Sequence, residues 1–276
     1  MLNQQIDITD LRNRFIYQLK VDCQGEQEIG LFMSGGIDSC AVLFGLLRLK
    51  KRVTVYSFSL PGKLSTDFKT SEKISRKLNC NFVGIELWAE VNLDLIKELM
   101  TKYECKKKTY IECLYPFLAS MPYVKEKVIL TGYESDDHFL LNKEALIHYK
   151  KTLELNQEYR RSIFKDYSTD QFEKLKQIGL AFEKRIKSPY CSKPIYDYFY
   201  DKTWYEINRP KIKFPLIKMF DEMESINELF YHANLQMGDS RLREHFAVLL
   251  NSSVNKNKRT RMMDVYRDMY NQYHSI

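Results

Sequence analysis

The chain has 276 residues, 44% hydrophobic and 29% charged, with a formal net charge of +7 and a pI near 8.9. That length buries one sizeable core with a smaller helical appendage. The longest purely apolar run, Cys40 to Leu47, falls far short of the ~18 residues of a membrane span. The start, MLNQQIDITD, is polar and acidic instead of basic then apolar, so no targeting signal is read and a cytoplasmic protein is expected.

In chain order, Ile8, Leu11, Phe15, Leu19 and Val21 predict a short structural helix over 8–22 leading into a first strand. Next comes IGLFMSGGIDSCAVLFGLL, residues 29–47. Ile29, Leu31 and Phe32 end a buried strand, and Ala41, Val42, Leu43, Leu46 and Leu47 share a helical face, so Ser34–Ser39 is a strand-to-helix turn. Ser34, Gly35, Gly36 and Ser39 offer small side chains and hydroxyls where backbone N–H groups converge on a helix N-terminus, an arrangement suited to a phosphate. Asp38 is out of place beside a phosphate unless it caps the helix or a divalent cation bridges the two, which points to nucleotide plus magnesium. A turn that merely needed two glycines is the bland alternative.

Strand-like runs recur at 52–60, 80–87 and 126–132, with helical patterns between them such as DFKTSEKISRKLN. Strands alternating with helices mean a parallel sheet covered on both faces, hence an α/β fold. After the third run, TGYESDDHFLLN (131–142) crowds Glu134, Asp136 and Asp137 at a strand end. Ligands of parallel sheets sit at the carboxyl ends of strands, so this turn and Ser34–Ser39 should face one crevice. Asp38 and Asp136 are then candidate magnesium ligands from opposite walls. Capping by Ser135 or Asp136 of a helix beginning at Asp137 is the plainer reading.

From about residue 138 onward no strand is read. The remainder is Tyr- and Lys-rich amphipathic helix punctuated by Pro189, Pro194, Pro210 and Pro215, which places a boundary near 145 between an α/β domain (1–145) and a helical substrate-closing region (146–276). Six scattered cysteines without a Cys-x-x-Cys pair are read as reduced and mainly buried. The positive charge favours acidic ligands, ATP among them. Its clearest clusters are Lys106–Lys108 and the tail residues Lys256, Lys258, Arg259 and Arg261.

The run Ser34-Gly35-Gly36-Ile37-Asp38-Ser39 resembles the pyrophosphate loop of the ATP pyrophosphatase (PP-loop) superfamily, matching every fixed position of Ser-Gly-Gly-x-Asp-Ser/Thr; it is neither a Walker loop nor a Gly-x-Gly-x-x-Gly fingerprint. The resemblance narrows to the synthetase domain of asparagine synthetase and the related β-lactam synthetases. Their Ser-Gly-Glu-Gly-x-Asp-Glu motif corresponds to Thr131–Asp137. It implies an adenine nucleotide α-hydrolase-like domain, ATP and Mg2+, a phosphate-side role for Gly132, and Asp136 as second metal ligand. Tyr133 stands where the family has an acid–base glutamate, with Glu134 adjacent, so both are candidate catalytic residues. RIKSPYCSKPIYDYFY (185–200) is similar to the family's Arg-x-Pro-Phe-Leu-Asp segment. RPKIKFPLIK (209–218) is similar to its Lys-x-Lys element, which makes Lys213 the catalytic lysine and Lys211 its companion. Backbone groups at Ser57–Leu60, notably Ser57 and Phe58, are implied to meet adenine.

The activity so implied is AMP-forming carbon–nitrogen ligation, in which a carboxylate or amide oxygen is adenylated and passed to ammonia or an amine. Because the first core strand comes within about thirty residues of the start, no N-terminal glutaminase domain is expected, and nitrogen is expected from free ammonia, a separate glutaminase partner or the substrate's own amine. The rival is a tRNA-lysidine-synthetase-like enzyme, which Asp136-Asp137 and the basic tail fit but which lacks the following Glu-Thr; nucleic acid is therefore not the favoured partner. A third reading is a degenerate ATP-binding relative without catalysis, which Tyr133 keeps open.

Overall fold

The computed structural model describes residues 6–62, 64–224 and 240–275. Its elements are α1 (Ile8–Asp22), β1 (Glu28–Phe32), α2 (Ile37–Arg48), β2 (Arg52–Ser59), α3 (Thr66–Lys77), β3 (Asn81–Glu86), α4 (Leu93–Thr101), α5 (Lys108–Ser120) and β4 (Val128–Thr131). Then follow α6 (Ser135–His138), α7 (Leu153–Ile163), α8 (Asp170–Ala181), β5 (Arg185–Lys187), α9 (Lys193–Tyr200), α10 (Trp204–Asn208), α11 (Phe214–Met219), α12 (Asp221–Glu224), α13 (Leu242–Ala247) and α14 (Met262–His274).

The strands form one parallel sheet in the order β3-β2-β1-β4-β5. Alternation along the central strands divides two cores: Ile29, Leu31, Val53, Val55, Val128 and Leu130 face α1, α2 and α9, whereas Phe32, Tyr56 and Ile129 face the side of α5 and α8. The first helix forms where expected. Asp7 caps it by accepting the Asp10 N–H at 2.9 Å, and Leu11, Phe15 and Leu19, four residues apart, are fully buried.

Chain connections run outward from β1 to β2 and β3 on one side and return to β4 and β5 on the other. The switch point of the sheet therefore lies between the carboxyl ends of β1 and β4.

The reading of no strand beyond residue 138 is corrected by β5, which pairs with β4 through Val128–Arg185, Ile129–Ile186 and Leu130–Lys187. Three residues are too few to show a period, and the strand is specified by packing instead. Gly179 on α8 comes so close that an added Cβ would lie 2.6 Å from Ile186 Cγ1. Elements beyond residue 145 also build the first core: Phe199, Leu216, Met219 and Phe220 pack with Phe15 and Phe44.

Arg160 on α7 is fully buried, and its guanidinium donates to carbonyl oxygens of His138, Tyr200 and Lys202 at 2.9, 3.5 and 3.0 Å. It thus satisfies carbonyls at the ends of α6 and α9 and ties the helical region to the turn after β4. Burial lowers its pKa to about 9. All six cysteines are free. No described helix is long and apolar enough to cross a membrane.

Candidate active site

The turn after β1 is built on Gly35, whose φ of +74° favours glycine; a Cβ there would lie 2.5 Å from Thr70 Cγ2 on α3. The Ser39 hydroxyl ties the loop by donating to Gly36 O at 3.2 Å and accepting the Ser34 N–H at 3.4 Å, and the Gly36 N–H donates to Ser34 Oγ at 3.4 Å. Gly36 is the N-cap of α2, with no side-chain cap bond. Asp38 is therefore not the cap, which removes the plain explanation for a carboxylate in this turn.

The second turn meets the first. A Cβ on Gly132 would stand 2.8 Å from Ser39 N and 3.0 Å from Asp38 Cβ, so only glycine lets the end of β4 close onto the start of α2. The capping expectation fails here too: the N-cap of α6 is Glu134, left-handed at φ 69°, with no side-chain cap bond. Ser135 instead donates to Asp38 Oδ1 at 2.7 Å.

Lys213 completes the cluster from the other end of the chain. Its ammonium lies 2.5 Å from Asp38 Oδ2 and 2.5 Å from Asp136 Oδ1. Burial alone would lower the pKa of this lysine, but the two carboxylates raise it above its ordinary value, so it is a cation at neutral pH. Burial pushes the Asp38 carboxyl up and Lys213 opposes that shift.

The sequence patterns missed the parts that hold this cluster. Lys213 adopts φ +57°, and its N–H donates at 3.2 Å to Oδ1 of buried Asn208, whose Nδ2 donates to Phe139 O at 3.0 Å and Trp204 O at 3.1 Å. The Tyr190 hydroxyl donates to Asp38 O at 3.1 Å, and the Tyr190 carbonyl is 2.8 Å from His138 Nε2. Asp137 accepts from the Tyr159 hydroxyl at 2.9 Å and from Asn142 Nδ2 at 3.2 Å, and burial raises its pKa to about 6. Nothing in the spacing of these residues announces the contacts.

Other candidates lie apart from the ammonium. Glu134 accepts the Thr169 N–H, the Thr169 hydroxyl and, at 3.2 Å, the Cys191 thiol, which anchors its carboxylate at the start of α8. Burial raises its pKa to about 7. Tyr133 sits in an aromatic row, 6.1 Å from Phe117 and stacked at 5.8 Å on Phe172. Burial, then Cys113 and Glu134, push its phenol well above the ordinary value, so it offers no base near neutral pH. Phe58, beside buried Ser57 at the end of β2, joins the same row through Phe117 at 6.4 Å. Lys211 stands exposed in the Lys213 loop.

Two carboxylates sharing one ammonium suit a small divalent cation. Magnesium is commonly held by one or two carboxylates while substrate phosphates and waters supply its other ligands. No group of three or more His, Cys, Asp or Glu suited to a metal occurs among the described residues.

With that geometry in place, the asparagine synthase family matches residues 10–193, more than half of the chain and inclusive of both turns. The chain belongs to the asparagine synthase family. It is thereby a PP-loop protein of an ATP-using enzyme family. No curated protein matches it. Among solved structures it is similar to a U34-tRNA thiolase from Methanococcus maripaludis with its 4Fe-4S cluster, at 13% identity over 98% of this chain and 82% of that one, TM-score 0.42. It is also similar to NMN synthetase from Francisella tularensis, at 10% identity over 98% and 93%, TM-score 0.36. Both likenesses are distant.

Arg259 pairs with Asp268 at 2.7 Å and Arg261 with Asp264 at 2.8 Å, both partners lying on α14. Both arginines stay substantially exposed, and Asp264 is shared with Arg267 at 2.9 Å.

Proposed function

We propose that this member of the asparagine synthase family is an AMP-forming carbon–nitrogen ligase acting on a small molecule. The observation that carries the reading is the Lys213 ammonium lying 2.5 Å from both Asp38 and Asp136, where the turns after β1 and β4 converge. The N–H groups of Ser34–Ser39 at the start of α2 are suited to the pyrophosphate portion of ATP. Magnesium, held by Asp38 and Asp136 when bound, would neutralise phosphate charge. Ser57 and Phe58 at the end of β2 serve the adenine side, and residues 146–276 form the region that closes over the second substrate.

In the first step a substrate carboxylate or amide oxygen attacks the α-phosphorus, and the bond to pyrophosphate breaks with its electron pair leaving on pyrophosphate. Lys213 stabilises the charge that builds there, with Lys211 as exposed companion, an effect of the kind that contributes ~10²–10³ in turnover. In the second step an amine or ammonia nitrogen attacks the activated carbon and AMP leaves with the bonding pair, the nitrogen giving up its proton. Glu134, buried and titrating near neutrality, is the carboxylate nearest in sequence to the family's acid–base position. Tyr133 packs its ring between Phe117 and Phe172 and has no chemical role in this reading.

The test is a screen of the chain with ATP and magnesium for acceptor-dependent pyrophosphate release against amino acids, other small carboxylates, amines and tRNA. Release with AMP formation in the presence of a small carboxylate and an amine supports the reading. Release only with tRNA moves the assignment to nucleic-acid modification, against which the absence of Glu-Thr after Asp136-Asp137 argues.

A further inference from the structure

The space between Asp38 and Asp136 already holds a cation of the chain's own. Lys213 Nζ is 2.5 Å from an oxygen of each carboxylate, and Asp38's other oxygen is taken by Ser135 at 2.7 Å, so a single Asp38 oxygen faces the seat. A magnesium ion bound by those same oxygens at about 2.0–2.1 Å has no room beside that nitrogen and would be repelled by its charge. The backbone of Lys213 cannot withdraw to make room. It is pinned at its N–H by Asn208 and at its carbonyl by the N–H groups of Leu216 and Ile217 at 3.0 and 3.2 Å. What can move is the four-carbon side chain, and it needs another acceptor before it leaves two carboxylates.

We infer that Lys213 and a divalent cation take this seat in alternation, so that the ammonium keeps out free metal until nucleotide phosphates arrive to accept it. Metal then enters together with the nucleotide. The same lysine is thus placed beside the phosphates by the displacement that admits the cation. This rests on the reading of Asp38 and Asp136 as a cation pair.

The experiment titrates the full chain with manganese alone, without nucleotide, and reads free and bound ion by electron paramagnetic resonance. The parent should show no tight site. Lys213→Met and the more conservative Lys213→Gln, checked as folded by circular dichroism, should bind manganese more tightly than the parent by roughly tenfold or more. Adding Asp38→Asn to either should abolish the gain. Equal affinity in the parent and in a folded variant, or tight manganese binding by the parent itself, would overturn the alternation. Absence of pyrophosphate release with every acceptor would instead refute the ligase reading and leave the manganese comparison intact, so the two failures are told apart.

Discussion

Asn208→Ala removes one acceptor and two donor bonds from a side chain only 2% exposed: the acceptor for the Lys213 N–H, and the donors to Phe139 O and Trp204 O. Each bond contributes about 1 kcal/mol net, and leaving a buried partner unsatisfied costs about 1–3 kcal/mol. The Trp204 carbonyl lies at a helix end where relaxation is easy, so the expected loss is about 2–4 kcal/mol, read from urea unfolding followed by circular dichroism. The catalytic effect should be separable from it. With its left-handed backbone unpinned, Lys213 shifts relative to Asp38 and Asp136, and a misplacement of about 1 Å can cost 10² in rate. Under conditions where the variant is folded, acceptor-dependent pyrophosphate release should fall by about 10² while the ATP dissociation constant changes by less than about threefold. Asn208→Asp, which keeps the acceptor for Lys213, should recover part of the rate. Parent-like stability together with parent-like turnover in Asn208→Ala would refute the claim that this bond sets the lysine.

Tyr133→Phe should retain turnover within about threefold, because the ring stays between Phe117 and Phe172 and the phenol remains protonated; a loss of 10² or more in steady-state assays would give the hydroxyl a chemical role. Asp22, at the end of α1 in a partly unsatisfied buried position, has its pKa raised by burial to about 6, so the folded state binds its proton more tightly than the unfolded state does. Its contribution to stability is therefore lost as pH rises from about 4 to about 6.5, on the order of 1–3 kcal/mol, and Asp22→Asn should flatten that part of the unfolding profile. A slope unchanged in the variant would assign it to other groups. Charge reversal at Lys256 and Lys258 should leave ATP binding intact, and tRNA binding by the parent should be weak, with a log–log salt slope below about 2; sub-micromolar, sequence-selective tRNA binding at physiological salt would favour the nucleic-acid acceptor.

Both turns were legible in the sequence because fixed residue types stood at fixed spacing between recognisable strand and helix runs, and the parallel sheet followed from the alternation of those runs. Lys213 was legible only through likeness to a family element, since a lysine 175 residues from Asp38 carries no local sign of its partner. Asn208 was invisible for a related reason: it acts through a hydrogen bond to the Lys213 backbone, whose left-handed conformation no pattern announces. The orientation of Glu134 depends on its own positive φ and on Thr169, 35 residues on, so adjacency to Tyr133 said little about where its carboxylate would lie. Strand β5 escaped because three residues show no periodicity, and its place is set by Gly179 and by its pairing with β4. The acidic partners of the basic tail, Asp264 and Asp268, lie on a helix that the run itself does not reveal.

The most direct test of the ligase reading is exchange of labelled pyrophosphate into ATP in the presence of the accepted carboxylate substrate, measured in the parent and in Asp38→Asn and Asp136→Asn. Reversible adenylation across the Asp38–Lys213–Asp136 cluster predicts substrate-dependent exchange in the parent and a loss of at least about 10² in each variant. Exchange undiminished in both variants, or turnover that yields ADP and phosphate in place of AMP and pyrophosphate, would contradict it.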